Sequence, residues 1–410
     1  MTVLEMTELT DDQWRDKIRD FLAQYADAEG WRRDRYGRAP LDNAPNDVRL
    51  ARNRRCLSLL HDHGLGAISW PTQYGGQGLS NRQAVIFNQE IASYSLPLGM
   101  FIIGHGMCAP TLLTYGTEAQ KDRYLPPLLS GEEVWCQLFS EPGAGSDLAG
   151  VQCRADRDGD GWVVNGQKVW TSGAHNAAFG LLLARSDGTG TSHSGLTTFI
   201  VAMDNPGIEV RPLVEMTGAA KFNEVFFTDC KLGPEAVLGD VGSGWRNAIT
   251  TLMNERVSIG TSSPGAFGFP SSVLIEEAKL NGKASNPVMV DKLVSIVIAE
   301  RIVKFLGMRV TEALLGGTEP GPEGSIAKLA GTRLSKTSAA LALELVGPAS
   351  VAWDPADKAG ATWADIAVAT PGLSIAGGTD EIMRNILAER VLGLPRDPRP
   401  QTPPKEGLTK

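Results

Sequence analysis

The sequence predicts an α+β fold in which a helical unit, a compact β unit and a second helical unit follow one another along the chain. Two changes of hydrophobic period define them. A 3.6-residue repeat over about 10–125 gives way near residue 133 to short apolar runs set between turn residues, and the helical repeat returns after about 242. With 410 residues, 42% of them hydrophobic and 21% charged, the chain is long enough for two or three packed cores. The units are expected at 1–132, 133–241 and 242–398, followed by a loose, proline-bearing tail at 399–410.

The elements follow in order. Thr10 and Gln13 have the spacing of a capping box, and Trp14, Ile18, Phe21, Leu22 and Tyr25 fall on one face of the helix it opens. The run from Trp70 and Pro71 to Gly78 is a loop between helical stretches. In the β unit, Asp158-Gly159-Asp160-Gly161 and Asn165-Gly166 read as hairpin-type turns flanking Trp162-Val163-Val164. Residues 179–184 and 196–201 are short strands. Beyond 242, Val294, Ile298, Ile302, Phe305 and Leu306 make one helical stripe. Small residues (Ser325, Ala327, Ala330, Gly331, Ser335, Ala339) mark a helix whose neighbours can approach closely. Gly347-Pro348 stops that helix, and a last one should run from about 379 to 393, between Gly377-Gly378 and Pro395. The C-terminal unit is therefore a helical bundle.

Composition excludes several functions. Lys plus Arg number 39 against 47 Asp plus Glu, a net charge of -8, so there is no basic field for nucleic acid or an acidic membrane surface. No stretch approaches the roughly 20 apolar residues that cross a bilayer. The acidic start, MTVLEMTELTDD, lacks the basic and apolar regions of a signal peptide, so a cytoplasmic protein is expected. Five well-separated cysteines (Cys56, Cys108, Cys136, Cys153, Cys230) with no CxxC pair read as reduced thiols, mostly core fillers. His61 and His63 lie in a helical stretch where i and i+2 face different ways, so no metal site is expected. The chain contains no GxSxG, no GxxxxGK[ST] and no GxGxxG after a strand, which removes the usual hydrolase, P-loop and Rossmann entry points.

The densest cluster of unusual residues is Gln137 to Asp147. Its glycines allow backbone N–H groups to approach a ligand, and Ser140 and Ser146 can hydrogen-bond a polar heterocycle or phosphate. Read alone, it fits an ordinary turn as well as a ligand cradle. In company it resembles the TEPxAGSD loop of the acyl-CoA dehydrogenases, with Ser140 for the family's threonine. Four more stretches follow the family pattern in order: Tyr115 to Lys121 with Leu128 to Glu132, Asn165 to Gly173, Asn223 to Phe227, and Gly378 to Arg384. The resemblance covers nearly the whole chain.

The resemblance implies an α-helical domain, a middle β-barrel domain and a C-terminal four-helix bundle. It also implies FAD as cofactor, an acyl-CoA substrate, an electron-transfer flavoprotein as electron acceptor, and a homotetramer or heterotetramer. Carried over by position, Leu138, Ser140 and Ser146 should line the flavin and its phosphates, with Ser146 also near the CoA entry. Trp170 and Thr171 belong to the flavin-facing segment, Trp170 covering the ring, and Ser172 should bring its hydroxyl near N5. Thr379 and Glu381 should meet an FAD, their own or a neighbouring subunit's.

The base departs from the commonest pattern. Most members place a glutamate directly before a Gly-Thr pair, where this chain has Gly377, which cannot abstract a proton. A minority, isovaleryl and long-chain types among them, carries the base just before a helix arginine, and here Asn254-Glu255-Arg256 stands at that place. Glu255 is therefore the expected base. Asn254, Arg256 and Gly377 are expected at the substrate, Gly377 through its main-chain N–H. The arginine that reaches the FAD diphosphate in the family is replaced around Ala278 to Lys283, and Glu389 stands where many members have an arginine. Such losses recur in α2β2 complexes, so the alternative is a subunit of a heteromeric dehydrogenase that relies on its partner.

Overall fold

Thr10 opens a helix near the N-terminal end of the computed structural model, which describes residues 6–33, 44–186, 193–260, 268–316, 321–322, 324–351 and 358–396. Its hydroxyl accepts from the Gln13 N–H at 3.3 Å, and the Gln13 side-chain oxygen accepts from the Thr10 N–H at 2.9 Å. Helix α1 (Asp11–Tyr25) buries Trp14, Ile18, Phe21 and Leu22. They pack with Cys56, Leu59 and Leu60 of α2 (Asn46–Asp62) and Ile86 and Phe87 of α3 (Asn81–Glu90). The loop at 70–78 holds one short 3-10 turn, Thr72–Tyr74. A π-helical turn, Gly104–Cys108, then runs into α4 (Ala109–Tyr115), and a capping box at Thr117 and Gln120 starts α5 (Glu118–Ser130).

Among the described residues eight strands follow: β1 (Trp135–Leu138), β2 (Arg154–Asp158), β3 (Gly161–Ser172), β4 (Phe179–Arg185), β5 (Leu196–Ala202), β6 (Ile208–Leu213), β7 (Phe222–Leu232) and β8 (Val237–Leu238). They are ordered β6-β7-β3-β2-β4-β5-β8, with β1 parallel to β4. One core takes Cys136 and Leu138, Ala155, Trp162 and Val164, Leu182 and Ala184, Phe199 and Val201, and Val225 and Phe227. A single core fed by so many strands requires the sheet to curl around it into a barrel-like form. The alternate residues Trp135, Leu181, Leu183 and Ile200 face a second core shared with Leu112, Leu125, Leu128 and Leu129. Strand β4 is thus buried on both faces, which is why its sequence is a continuous apolar run.

Asn165-Gly166 is not a turn. Strand β3 passes through it, Asn165 opposite Arg154 and Gly166 opposite Phe227, with a bulge between Val164 and Gly166. Gly166 has φ 149°, and a Cβ there would lie 2.7 Å from the Cys153 Cα. The pair that marks a tight hairpin also suits a bulge, because both need a residue free of Cβ conflict.

The C-terminal unit comprises α6 (Gly244–Gly260), α7 (Ser271–Leu280), α8 (Pro287–Leu315), α9 (Gly324–Val346), α10 (Lys358–Ala369) and α11 (Asp380–Ile386), the last continuing as a π turn, Leu387–Val391. Helix α9 lies at its centre, packed by α6, α7, α8, α10 and α11, and buries Ser325, Ala327, Ser335 and Ala339. The stripe on α8 points the other way from its core. Val294, Ile298, Ile302 and Phe305 are 49, 53, 50 and 60% exposed, while Met289, Leu293 and Ile296 form the packed face. The tail at 399–410 lies outside the described residues.

Candidate active site

Strand β1 leads into a loop that closes on itself at once. The Glu141 N–H donates to the Ala144 carbonyl at 2.9 Å and the Ala144 N–H returns to the Glu141 carbonyl at 3.1 Å, leaving Pro142 and Gly143 at an exposed tip. Beneath the tip sits a buried ion pair. Lys168 of β3 donates to Glu141 Oε1 at 2.7 Å and to the Phe139 carbonyl at 2.9 Å. The same carboxylate accepts from the N–H groups of Gln152 at 2.6 Å and Cys153 at 2.9 Å. Arg185 of β4, also buried, donates to the carbonyls of Ala149 and Val151 at 2.7 and 3.2 Å.

Each expected site residue on this loop has a definite place. Ser140 is half-buried and Ser146 exposed. The Leu138 side chain is fully buried in the β core, so only its main chain is available to a ligand. No atom lies within 4 Å of where a Cβ would sit on Gly143 or Gly145. The chain's own packing therefore does not require glycine there, and the backbone stays open to another molecule.

Two residues beyond Lys168 the strand bulges again. Trp170 adopts φ 59° and its ring is 56% exposed, edge-on to Phe222 with centroids 5.8 Å apart. A tryptophan in the left-handed region is strained, and its ring is left exposed rather than packed in either core. Thr171 is buried with its hydroxyl unpartnered. Its register partner Asn223, also buried, has an unpartnered Nδ2, while its Oδ1 accepts from the His175 N–H at 3.3 Å and lies 2.9 Å from His175 Nδ1. Buried orphan polar atoms are uncommon, and here they lie beside an exposed aromatic ring. These features fit a planar polar heterocycle held against β3.

The expected base lies elsewhere, on α6. Tyr115 reaches Thr250 at 2.9 Å and Thr111 meets Thr251 at 2.8 Å, so α4 and α6 run antiparallel. Glu255, one turn beyond Thr251, lies toward the end of α6 nearest the π turn Gly104–Cys108 and is half-buried. Asn254 donates its amide to the Thr250 carbonyl at 2.9 Å. The Arg256 side chain lies outside the described residues. Gly377 and Gly378 have φ 66° and 90°, and Thr379 caps α11, accepting from the Ile382 N–H at 3.2 Å. Glu381 faces solvent and pairs with Arg384 at 3.2 Å. Helices α6 and α11 both pack on α9, which joins these two walls.

Several groups escaped the sequence reading. Glu141, Lys168 and Arg185 are charged residues with buried side chains, and nothing in their local sequence says so. Asp380 is another: burial alone would raise its carboxyl, but hydrogen bonds from Lys328 and Ser374, and the charges of Lys328 and Lys336, hold it below its usual value. An open depression of about 470 Å³ at the start of α6 is lined by His193, Asp240, Trp245 and Arg246, and shares no residue with the expected site. Burial pushes the Cys136 and Cys153 thiols up to about 12 and about 11, so neither is a nucleophile at neutral pH.

Comparison with known proteins places this geometry among relatives. Family models for the N-terminal, middle and C-terminal domains of acyl-CoA dehydrogenase match residues 9–132, 136–230 and 242–392. The chain is 36% identical to acyl-CoA dehydrogenase IpdE1 of Mycobacterium tuberculosis, over 94% of this chain and 98% of that one. It is 41% identical to acyl-CoA dehydrogenase FadE34 of the same organism over 82% of this chain, but spans only 46% of FadE34. Among solved structures it resembles one titled "Tcur3481-Tcur3483 steroid ACAD", with TM-score 0.79 and 25% identity over 94% of this chain and 97% of that one. It also resembles the ChsE4-ChsE5 complex of Mycobacterium tuberculosis, with TM-score 0.77 and 26% identity over 94% of this chain and 98% of that one.

Proposed function

The chain belongs to the acyl-CoA dehydrogenase family, and from that premise we propose that it is an FAD-dependent enzyme that forms the α,β double bond of an acyl-CoA thioester, with Glu255 as the base. The observation that carries the cofactor half is the second bulge of β3, where an exposed Trp170 adjoins a buried Thr171 hydroxyl with no partner. Ser140, Ser146, Trp170, Thr171 and Ser172 would hold the flavin, together with the Leu138 main chain and Thr379. Glu381 serves only if a neighbouring subunit brings its flavin to that exposed carboxylate. A bound flavin supplies the hydride acceptor.

The rest of the chemistry falls to the chain itself. An α proton beside a thioester is acidic only while the developing enolate oxygen is stabilised, so a carboxylate base needs a hydrogen-bond donor on the opposite wall. Glu255 supplies the carboxylate. The Gly377 N–H serves as donor, and the missing side chain there leaves room for a base arriving from α6. Asn254 and Arg256 line the base's wall, and Ser146 lies at the CoA entry. Units 1–132, 133–241 and 242–398 act as its three domains, with the base drawn from the third.

The neighbour titled a steroid dehydrogenase supports a bulky, ring-bearing acyl group, such as a steroid side-chain thioester, as the substrate. The outward apolar stripe of α8 supports assembly as a homotetramer or heterotetramer. The ChsE4-ChsE5 neighbour, solved as a complex, supports a second reading as one subunit of an α2β2 dehydrogenase. An electron-transfer flavoprotein is the proposed acceptor, and the cytoplasm the proposed compartment. Among the described residues no helix is long and apolar enough to cross a membrane. The test is an anaerobic titration of the purified chain with a panel of acyl-CoAs, following the flavin band at about 450 nm. Bleaching by ring-bearing thioesters is expected. A flavin-loaded protein that no acyl-CoA reduces would overturn the reading.

A further inference from the structure

Two segments proposed above to hold the flavin, the loop 140–147 and the bulge at Trp170–Ser172, come from different parts of the chain, and one buried ion pair spans both. Lys168 has no exposed side-chain surface and Glu141 only 7%. Two charges so far from water persist only if each is paired and its remaining hydrogen-bonding capacity is used. That requirement is met here by main-chain groups of the loop. Glu141 gathers the N–H groups of Gln152 and Cys153, and Lys168 takes the carbonyl of Phe139 as well as the carboxylate. One residue after Lys168, the Val169 N–H donates to the Ser140 carbonyl at 2.9 Å. Two residues after it stands the strained Trp170. Any displacement of the Lys168 ammonium therefore moves the floor of the loop and the base of the bulge together. Arg185 pins the far end of the same loop independently, through Ala149 and Val151.

We infer that Lys168 and Glu141 are positioning residues that hold the 140–147 loop and the Trp170–Ser172 bulge as one rigid unit, formed before any cofactor arrives. The inference rests on the proposal that these segments hold the flavin, but its first consequence does not need a flavin. In the chain freed of cofactor, the amides that carry the unit's own bonds, those of Glu141, Ala144, Gln152, Cys153, Val169 and Gly173, should be protected from hydrogen exchange. Lys168→Met should raise exchange in both segments together, by tenfold or more, while Leu334 to Leu345 of α9 keep their wild-type protection. The same variant should weaken FAD binding at least tenfold, measured by quenching of Trp170 and flavin fluorescence.

Glu141→Gln leaves the Lys168 ammonium buried without its countercharge and turns an amide NH2 where a carboxylate oxygen accepts, so it should shift both readouts in the same direction at least as far, with α9 again unchanged, which a general loss of folding would not produce. It also carries the test if Lys168→Met does not fold. Exchange that rises in only one segment, that rises uniformly through the β strands and α9, or that does not change in a folded variant would overturn the unit. If both segments loosen together and FAD affinity stays at the wild-type value, the unit stands and the assignment of these segments to the flavin fails.

Discussion

The hydroxyls of Thr111 and Thr251 meet 2.8 Å apart across 140 residues of sequence, both fully buried. Thr111 also lies 2.9 Å from the Met107 carbonyl and Thr251 2.9 Å from the Asn247 carbonyl. Two hydroxyl protons serve three contacts, so the pair is coupled: whichever hydroxyl donates across the seam releases its own carbonyl. Removing one hydroxyl leaves a buried oxygen with less than its due, whereas removing both leaves an apolar seam of the same shape. Thr111→Val or Thr251→Val alone should therefore cost about 1–3 kcal/mol, and the double variant less than the sum. Urea denaturation of the four proteins checks this, and strict additivity would mean that the two hydroxyls act separately.

That seam sets which turn of α6 faces the π turn, and so where Glu255 lies. Glu255→Gln preserves size and polarity but removes the proposed base. It should leave FAD content and acyl-CoA affinity intact while slowing flavin reduction by about a hundred- to ten-thousand-fold, the usual contribution of a general base. Stopped-flow reduction under anaerobic conditions measures it. A variant that keeps most of its rate would remove Glu255 from the role and return attention to the Gly377 wall.

The difference between what was and was not legible in the sequence is physical. Helix α1 could be read because both its signals, the Thr10 box and the one-sided apolar face, lie within the helix and its cap. The β4 run could be read as a buried strand because both its faces are covered. The α8 stripe announced a helix but not its orientation, since an apolar face turned outward and one turned inward have the same period. Asn165-Gly166 misled because a bulge and a turn use the same residues. Most of the candidate site lies in contiguous motifs, which is why a sequence reading can propose it. The ties between those motifs could not be read: Glu141 and Lys168 are 27 residues apart, Lys328 and Asp380 52 apart, and each reads as an ordinary surface charge until the fold buries it.

His105, in the π turn, gives the protein an acid-side sensitivity. Burial is the main cause, with His61 assisting and the bond to the Leu128 carbonyl opposing, and together they push its imidazole down to about 4. The unfolded chain takes up this proton below about pH 6.5, the folded one only near 4, so the stability of the fold falls as pH drops through that window, by about 3–4 kcal/mol in all. His105→Gln, which can still donate to Leu128, should flatten the decline. Urea midpoints at about pH 7 and about pH 4.5 compare the two, and parallel declines would show that other groups account for the acid loss.

Asp380 opens α11 immediately after Gly377, Gly378 and Thr379, and its carboxylate is anchored to α9 by Lys328 at 3.0 Å, with Lys336 at 3.7 Å. The Lys328 side chain is 2% exposed, so losing the carboxylate leaves an ammonium buried without its countercharge. Asp380→Asn should cost about 3–5 kcal/mol at neutral pH. The folded carboxyl is held below its usual value, so the pair's contribution is fully present above about pH 4 and fades as pH falls through the folded value. The gap between wild type and Asp380→Asn should therefore narrow toward about pH 3. Lys328→Met should cost less, because Lys336 and Ser374 still hold the carboxylate at the edge of the helix. If Gly377 donates to the thioester oxygen, Asp380→Asn should also raise the KM for acyl-CoA and lower the rate of flavin reduction at temperatures where the variant is fully folded. Unchanged kinetics in the folded variant would show that α11 holds its first turn, and the glycines before it, without this pair.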